Sequence, residues 1–274
     1  MKQKSDTYPV VLTVAGFDGS GGAGIQADIK TISALGCYGT SVLTALPVQN
    51  TLGVAHIHPF PPDLIAQQLI SLLPDIEPQA IKMGMIHTAS IASIIAEQLA
   101  LYPHIPVVFD PVMVSSSGHR LMEENTVQTI IDTLFPWVTL LTPNLDEAAL
   151  LAHMAIETVE DMHIASRKIK NLGCQSVLLK GGHMKSDTLT TIYLASDGSI
   201  HEFQSQKIES MNTRGTGCTL SAAIAAYVAR GEGFLSAIKH AQDYVHQAIF
   251  HSKDLVIGKN GKGPLNHFFD LKKS

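Results

Sequence analysis

Gly215, Thr216, Gly217 and Cys218 stand in the order G-T-G-C directly before a long alanine-rich run. Glycines remove side chains, so successive backbone N–H groups can converge on an anion, and a helix start adds unpaired N–H groups and a partial positive charge. That combination suits a phosphoryl group in transit. No G-x-x-x-x-G-K-S/T string occurs, so this is not a Walker A loop, and a plain turn at a helix start is the alternative. Cys218 falls in the first turn, where a helix start lowers a thiol pKa and favours thiolate. A small free cysteine packed beneath a helix is the competing role.

A second cluster lies near the other end. Gly19, Gly21 and Gly24 spell G-x-G-x-x-G between an apolar run and helix-compatible residues. A dinucleotide fingerprint needs an acid about 20 residues further on to hold the ribose. After Asp28 none occurs until Asp63. Two readings remain. The glycines form an ordinary tight strand-to-helix turn, or they clear space for a flat small molecule with Asp28 beside it.

Three more segments put polar groups where apolar runs end. Asn144 and Glu147, in TPNLDE, share a face of a helical turn and could hold Mg²⁺ directly or through water. The same pair is also ordinary capping chemistry. Lys180 ends LLK before two glycines and could meet a nucleotide phosphate; Asp110 ends VVFD. Acids and lysines in buried runs are rare without a partner, so both are candidates for phosphate-side chemistry.

These residues need a scaffold. Short apolar runs at 10–16, 41–48, 80–86, 107–114, 138–144 and 176–183 alternate with helical patterns at 25–36, 61–73, 88–102, 126–135 and 159–171. A hairpin around Asp197-Gly198 joins 189–195 to 200–206, and helices near 216–230 and 233–251 finish the pattern. Repeated βα units predict a mostly parallel sheet with helices on both faces, its ligands outside the carboxyl ends of the strands. Hydrophobic residues at 45% and charged residues at 16% allow a sizeable core. A net charge of −5 without a basic run argues against nucleic acid. Cys37, Cys174 and Cys218 are far apart and odd in number, which fits a reduced, cytoplasmic setting better than a disulfide framework. MKQKSDTYP lacks the apolar stretch of a secretory signal, and no apolar run reaches the length of about 18 residues that a membrane span needs.

AGFDGSGGAGIQADIKT, VQNTLGV, IKMGMI, DPVM, TPNLDEA, LLKGGH and NTRGTGCTLSAAIAA follow one another in this order. From about residue 9 to the IGKNGKGPLNHFF tail the chain resembles the hydroxymethylpyrimidine/phosphomethylpyrimidine kinases, the thiamin-synthesis kinases of the ribokinase-like superfamily. The resemblance implies a three-layer α/β/α ribokinase-like fold with a mostly parallel central sheet. It implies one domain over 1–274, with 1–8 a flexible N-terminus, working as a homodimer. It implies ATP- and Mg²⁺-dependent phosphorylation of the pyrimidine's hydroxymethyl group, then of the monophosphate. Gln49 matches the glutamine that binds the pyrimidine; Gly16, Asp28, Met85 and Val112 match pocket-lining positions. Cys218 matches the proposed base, and Gly215, Thr216 and Gly217 the anion hole. Asn144 and Glu147 match the N-x-x-E element near metal and phosphates, and Lys180 a lysine near ATP. Two departures stand out: Gly19 where many members have Pro or Ser, and SSSG at 115–118 where some carry a lysine, which leaves Ser116 without a transferred role. Pyridoxine and pyridoxal kinases of the same superfamily, and a non-catalytic ligand-binding protein on this scaffold, are the alternatives.

Overall fold

The computed structural model describes residues 8–114, 121–123, 125–182, 188–259 and 262–271. Most of the expected flexible N-terminus and the SSSG segment with Ser116 lie outside the described residues.

The expected three-layer α/β/α arrangement is what the chain adopts. An eight-stranded sheet runs in the order β10-β9-β8-β7-β6-β5-β1-β2. Six of its strands are parallel: β1 (Val10–Ala15), β2 (Tyr38–Leu43), β5 (Ala80–Met83), β6 (Val107–Phe109), β7 (Leu140–Leu141) and β8 (Val177–Lys180). The expected hairpin, β9 (Thr188–Leu194) and β10 (Ile200–Gln206), adds two antiparallel strands at one edge, and Gly198 takes a φ of +87° in its turn.

Alternation along the strands divides the core. Leu12 and Val14 of β1 pack with α2 (Pro62–Ile76), α3 (Ala89–Leu99) and α6 (Val159–Lys170) on one face. Val11 packs with α1 (Gly24–Ala34), α7 (Thr216–Ala229) and α8 (Phe234–Phe250) on the other. Thr13 and Lys82 alternate with residues of the first core, so both point toward α1 and α7. In α7 the residues from Thr219 to Ala226 are all buried. A helix enclosed by sheet, α1 and α8 must be narrow, which accounts for its alanines and serine.

Three expectations change. The run at 41–48 is not one strand. It breaks at Thr44, whose N–H bonds the Ala15 carbonyl at 3.0 Å and whose hydroxyl bonds the Met85 carbonyl at 2.7 Å. The chain then leaves the main sheet as β3 (Ala45–Asn50), which pairs antiparallel with β4 (Gly53–Pro59) in a separate hairpin, hereafter the flap. The segment SVLTALPV carries no glycine or charged residue at the exit, so the sequence does not mark it. The helix at 126–135 is one α-turn, α4 (Thr126–Thr129), followed by a π-turn over Ile130–Leu134 and a 3₁₀ turn over Phe135–Trp137. β7 is two residues long, because Pro143 and Asn144 already begin the turn into α5 (Leu145–Ala152). Among the described residues, no helix is long and apolar enough to cross a membrane.

A candidate active site at the carboxyl ends of the parallel strands

From β1 the sheet grows toward β2 on one side and β5 on the other, which opens a crevice at the carboxyl ends of the strands. Gly16 follows β1, Met85 lies two residues past β5, Asp110 follows β6, and Lys180 ends β8. Asn144 bridges to Lys180.

Here the two glycine clusters meet. Gly215 has a φ of +83°, and a Cβ there would collide with the Gly22 carbonyl. At Gly24, where φ is +55°, a Cβ would likewise collide with the Gly16 carbonyl. Only glycine permits both the left-handed backbone and this approach. The α7 ladder begins with Thr219 N–H donating to the Gly215 carbonyl at 2.8 Å. The amides of Gly217 and Cys218 precede that bond, in the first turn, where a helix supplies no acceptor. Thr216 tightens the turn, its hydroxyl donating to the Thr213 carbonyl at 2.8 Å.

The cradle abuts a charged cluster. A Cβ on Gly217 would lie 3.1 Å from Asp110 Oδ2 and 3.5 Å from Lys180 Nζ. Lys180 Nζ donates to Asp110 Oδ1 at 2.8 Å, and Thr142 Oγ1 to the same oxygen at 3.3 Å. Asn144 and Glu147 form a complete capping box on α5: Glu147 N–H donates to Asn144 Oδ1 at 2.9 Å, and Asn144 N–H to Glu147 Oε2 at 2.8 Å. The capping alternative is therefore correct, but Glu147 does more. It is 5% exposed. Burial, with Asp110 adding and Lys180 opposing, pushes its carboxyl up to about 7. Two carboxylates against one ammonium leave this corner short of positive charge.

Cys218 is partly exposed, and the Gly24 amide, in the first turn of α1, points at its sulfur. The expected depression of the thiol is overturned. Burial pushes it up to about 11, and the Lys82 ammonium, the largest opposing influence, does not offset that. Lys82 is completely buried; its Nζ donates to Asp28 Oδ2 at 2.8 Å, and Thr13 Oγ1 donates to the same oxygen at 2.6 Å. Burial works against the charge on Lys82, but Asp28, Cys218 and Asp110 together hold its pKa above the usual lysine value. Asp28 thus departs from expectation: its carboxylate is fully enclosed behind the first glycine loop instead of lining an open wall. One of its oxygens, Oδ1, is buried without a hydrogen-bond partner.

Gly16, Met85 and Val112 do come together. A Cβ on Gly16 would stand 3.1 Å from Met85 Cε, and Met85 and Val112 share a small apolar cluster with Val54 and Ile57 of the flap. Gln49 sits at a bulge in β3. Its Nε2 donates to the Phe17 carbonyl at 3.0 Å, and its Oε1 accepts from Arg214 Nη2 at 3.0 Å.

Arg214, Asp18 and Lys82 had no role in the expected site. Lys82 had a usable signal: a lysine between Ile81 and Met83 in a buried strand, the same cue that singled out Lys180. Arg214 and Asp18 had none, because their pairing spans 196 residues of sequence. Two surface grooves of about 710 and 580 Å³, one beside Phe203 and Phe234 and one beside Tyr227 and Phe269, share no residue with this cluster.

A family model described as phosphomethylpyrimidine kinase matches residues 18–266. The thiamine biosynthetic bifunctional enzyme of Arabidopsis thaliana is 44% identical over 267 residues, covering 97% of this chain and 51% of the plant protein. The chain spans about half the length of this and two other bifunctional relatives. The hydroxymethylpyrimidine/phosphomethylpyrimidine kinase of Staphylococcus aureus strain MRSA252 is 39% identical over 265 residues, covering 96% of this chain and 95% of that one. Among solved structures, the pyridoxal kinase of Staphylococcus aureus in complex with AMP-PCP and pyridoxal is 32% identical, with a TM-score of 0.85 and coverage of 96% and 94%.

Proposed function

The chain belongs to the phosphomethylpyrimidine kinase family, and from this we propose that it phosphorylates 4-amino-5-hydroxymethyl-2-methylpyrimidine from ATP, and then phosphorylates the monophosphate, in thiamin synthesis. One observation carries the reading. The α7 amide cradle, the Cys218 sulfur and the Asp110–Lys180–Glu147 cluster meet beside the apolar pocket formed by Gly16, Met85 and Val112.

In this reading the acceptor ring lies against Gly16, Met85 and Val112, with Gln49 reading its polar edge. The free amides of Gly217 and Cys218 receive the migrating phosphoryl group, and Lys180 meets the nucleotide phosphates. Phosphoryl transfer through a loose transition state is mostly positioning and charge stabilisation. The hydroxyl proton leaves late, and Cys218 is the group assigned to receive it. A thiol pushed up to about 11 supplies little thiolate at neutral pH. The amides and Lys180 are therefore assigned more of the acceleration than the base.

Glu147 and Asp110 fit a magnesium ion. They are oxygen donors in a corner with surplus negative charge, and magnesium commonly takes one or two carboxylates together with substrate phosphates. Both Asn144 and Glu147 serve the α5 cap, and Glu147, as the carboxylate of the pair, keeps lone pairs for contact through water. When bound, the ion neutralises charge on the phosphates. The same reading takes residues 1–274 as one cytoplasmic kinase domain that works as a homodimer on small molecules.

Likeness to a pyridoxal kinase favours a second reading, phosphorylation of pyridoxine or pyridoxal. Mass spectrometry of products from the aminopyrimidine, its monophosphate and pyridoxine, each with Mg-ATP, separates them. The doubly phosphorylated pyrimidine is expected. Phosphorylation of pyridoxine alone overturns the first reading, and binding of ring and nucleotide with no product formed points to a non-catalytic binding protein.

A further inference from the structure

We propose that Arg214 is a positioning residue that sets acceptor specificity, by fixing the sense in which the Gln49 amide faces the pocket. The inference rests on the kinase reading above. Arg214 is 6% exposed and immediately precedes the cradle at Gly215. Its Nε and Nη2 donate to Asp18 Oδ2 at 3.3 and 3.2 Å, and Nη2 also donates to Gln49 Oε1. Asp18 is itself immobilised. Fully buried, it accepts from the amides of Ser20, Gly22 and Ala23 at 3.0, 3.2 and 2.8 Å, and from the Ser20 hydroxyl at 2.7 Å. The arginine stem lies against Gly22, where a Cβ would stand 3.2 Å from its Cδ, and its own amide donates to the Gly263 carbonyl at 3.1 Å.

The guanidinium is therefore held from several sides before it reaches the flap. Gln49 has a carbonyl acceptor on one side, that of Phe17, and a cationic donor on the other. Reversing its amide would set N–H groups against the guanidinium and carbonyl against carbonyl. One orientation survives, leaving one N–H and one lone pair for a ring edge that accepts and donates in the matching order. Without the arginine the amide can turn, and the pocket loses its discrimination between ring edges.

The test is steady-state kinetics of the full chain with the aminopyrimidine and with pyridoxine, each with Mg-ATP. Arg214→Met is expected to raise the aminopyrimidine KM by about tenfold or more, the scale of a lost charged hydrogen bond. kcat and the ATP KM stay within about threefold, the preference between the two heterocycles shrinks, and Arg214→Lys restores part of it. In a double-mutant cycle, Arg214→Met adds little to Gln49→Ala. Additive effects, or an equal loss in every parameter, overturn the inference. If Arg214→Met does not fold, Arg214→Gln carries the same cycle. Wild-type turnover of neither heterocycle overturns the kinase reading and this inference with it; wild-type turnover with additive effects overturns the inference alone.

Discussion

Glu147→Gln is expected to stabilise the fold at alkaline pH while it impairs phosphoryl transfer. Burial lifts the folded-state carboxyl from an ordinary 4.5 to about 7. Between those values the folded protein holds more protons than the unfolded chain, so the free energy of unfolding falls as pH rises through the window. At about 1.4 kcal/mol per pKa unit, the ionised side chain costs the wild type about 3 kcal/mol above pH 7. Glutamine removes that cost. Its carbonyl oxygen can still accept the Asn144 amide, so the α5 cap survives, while the Met113 amide, which also donates to the carboxylate, loses its acceptor and offsets part of the gain. Urea denaturation, followed by fluorescence of the single tryptophan, Trp137, reads the effect without nucleotide or metal. The variant is expected to be more stable than wild type by up to about 3 kcal/mol near pH 8, with the difference closing toward acid pH as the wild-type carboxyl protonates. Mg-ATP-dependent turnover falls in the same variant. A stability difference that ignores pH, or a variant weaker than wild type at pH 8, refutes the reasoning.

Lys82→Met strands the Asp28 carboxylate in the core and is expected to cost about 3–5 kcal/mol. Adding Asp28→Asn should recover part of this, and urea midpoints that show purely additive losses would dissolve the pair as a unit. Cys218→Ser should lower turnover by about a hundredfold or more while calorimetric ATP affinity holds; wild-type turnover would reduce the sulfur to packing.

Residues at punctuation marks of the chain were readable in advance. Gly215 and Gly217 open a helix, Lys180 closes a strand, and Asn144 caps a turn, so sequence period and glycine placement locate each one. What a side chain faces across the fold was not readable. Asp28 looked available beside its loop until Lys82, 54 residues away, closed over it. The helix start predicts a lowered Cys218 thiol, and burial, which the sequence does not display, raises it instead. The flap is not legible because SVLTALPV has no turn residue between β2 and β3, and the exit is marked by the Thr44 hydrogen bonds.

The Asp18–Arg214 bridge joins segments 196 residues apart, and the phosphate cradle begins one residue later. During translation the Asp18 half of the crevice emerges first and waits while the rest of the sheet is made, for about 10–40 s at ordinary elongation rates. A ribosome-bound intermediate that stops short of residue 214 therefore holds Asp18 and Gln49 without the cation they share.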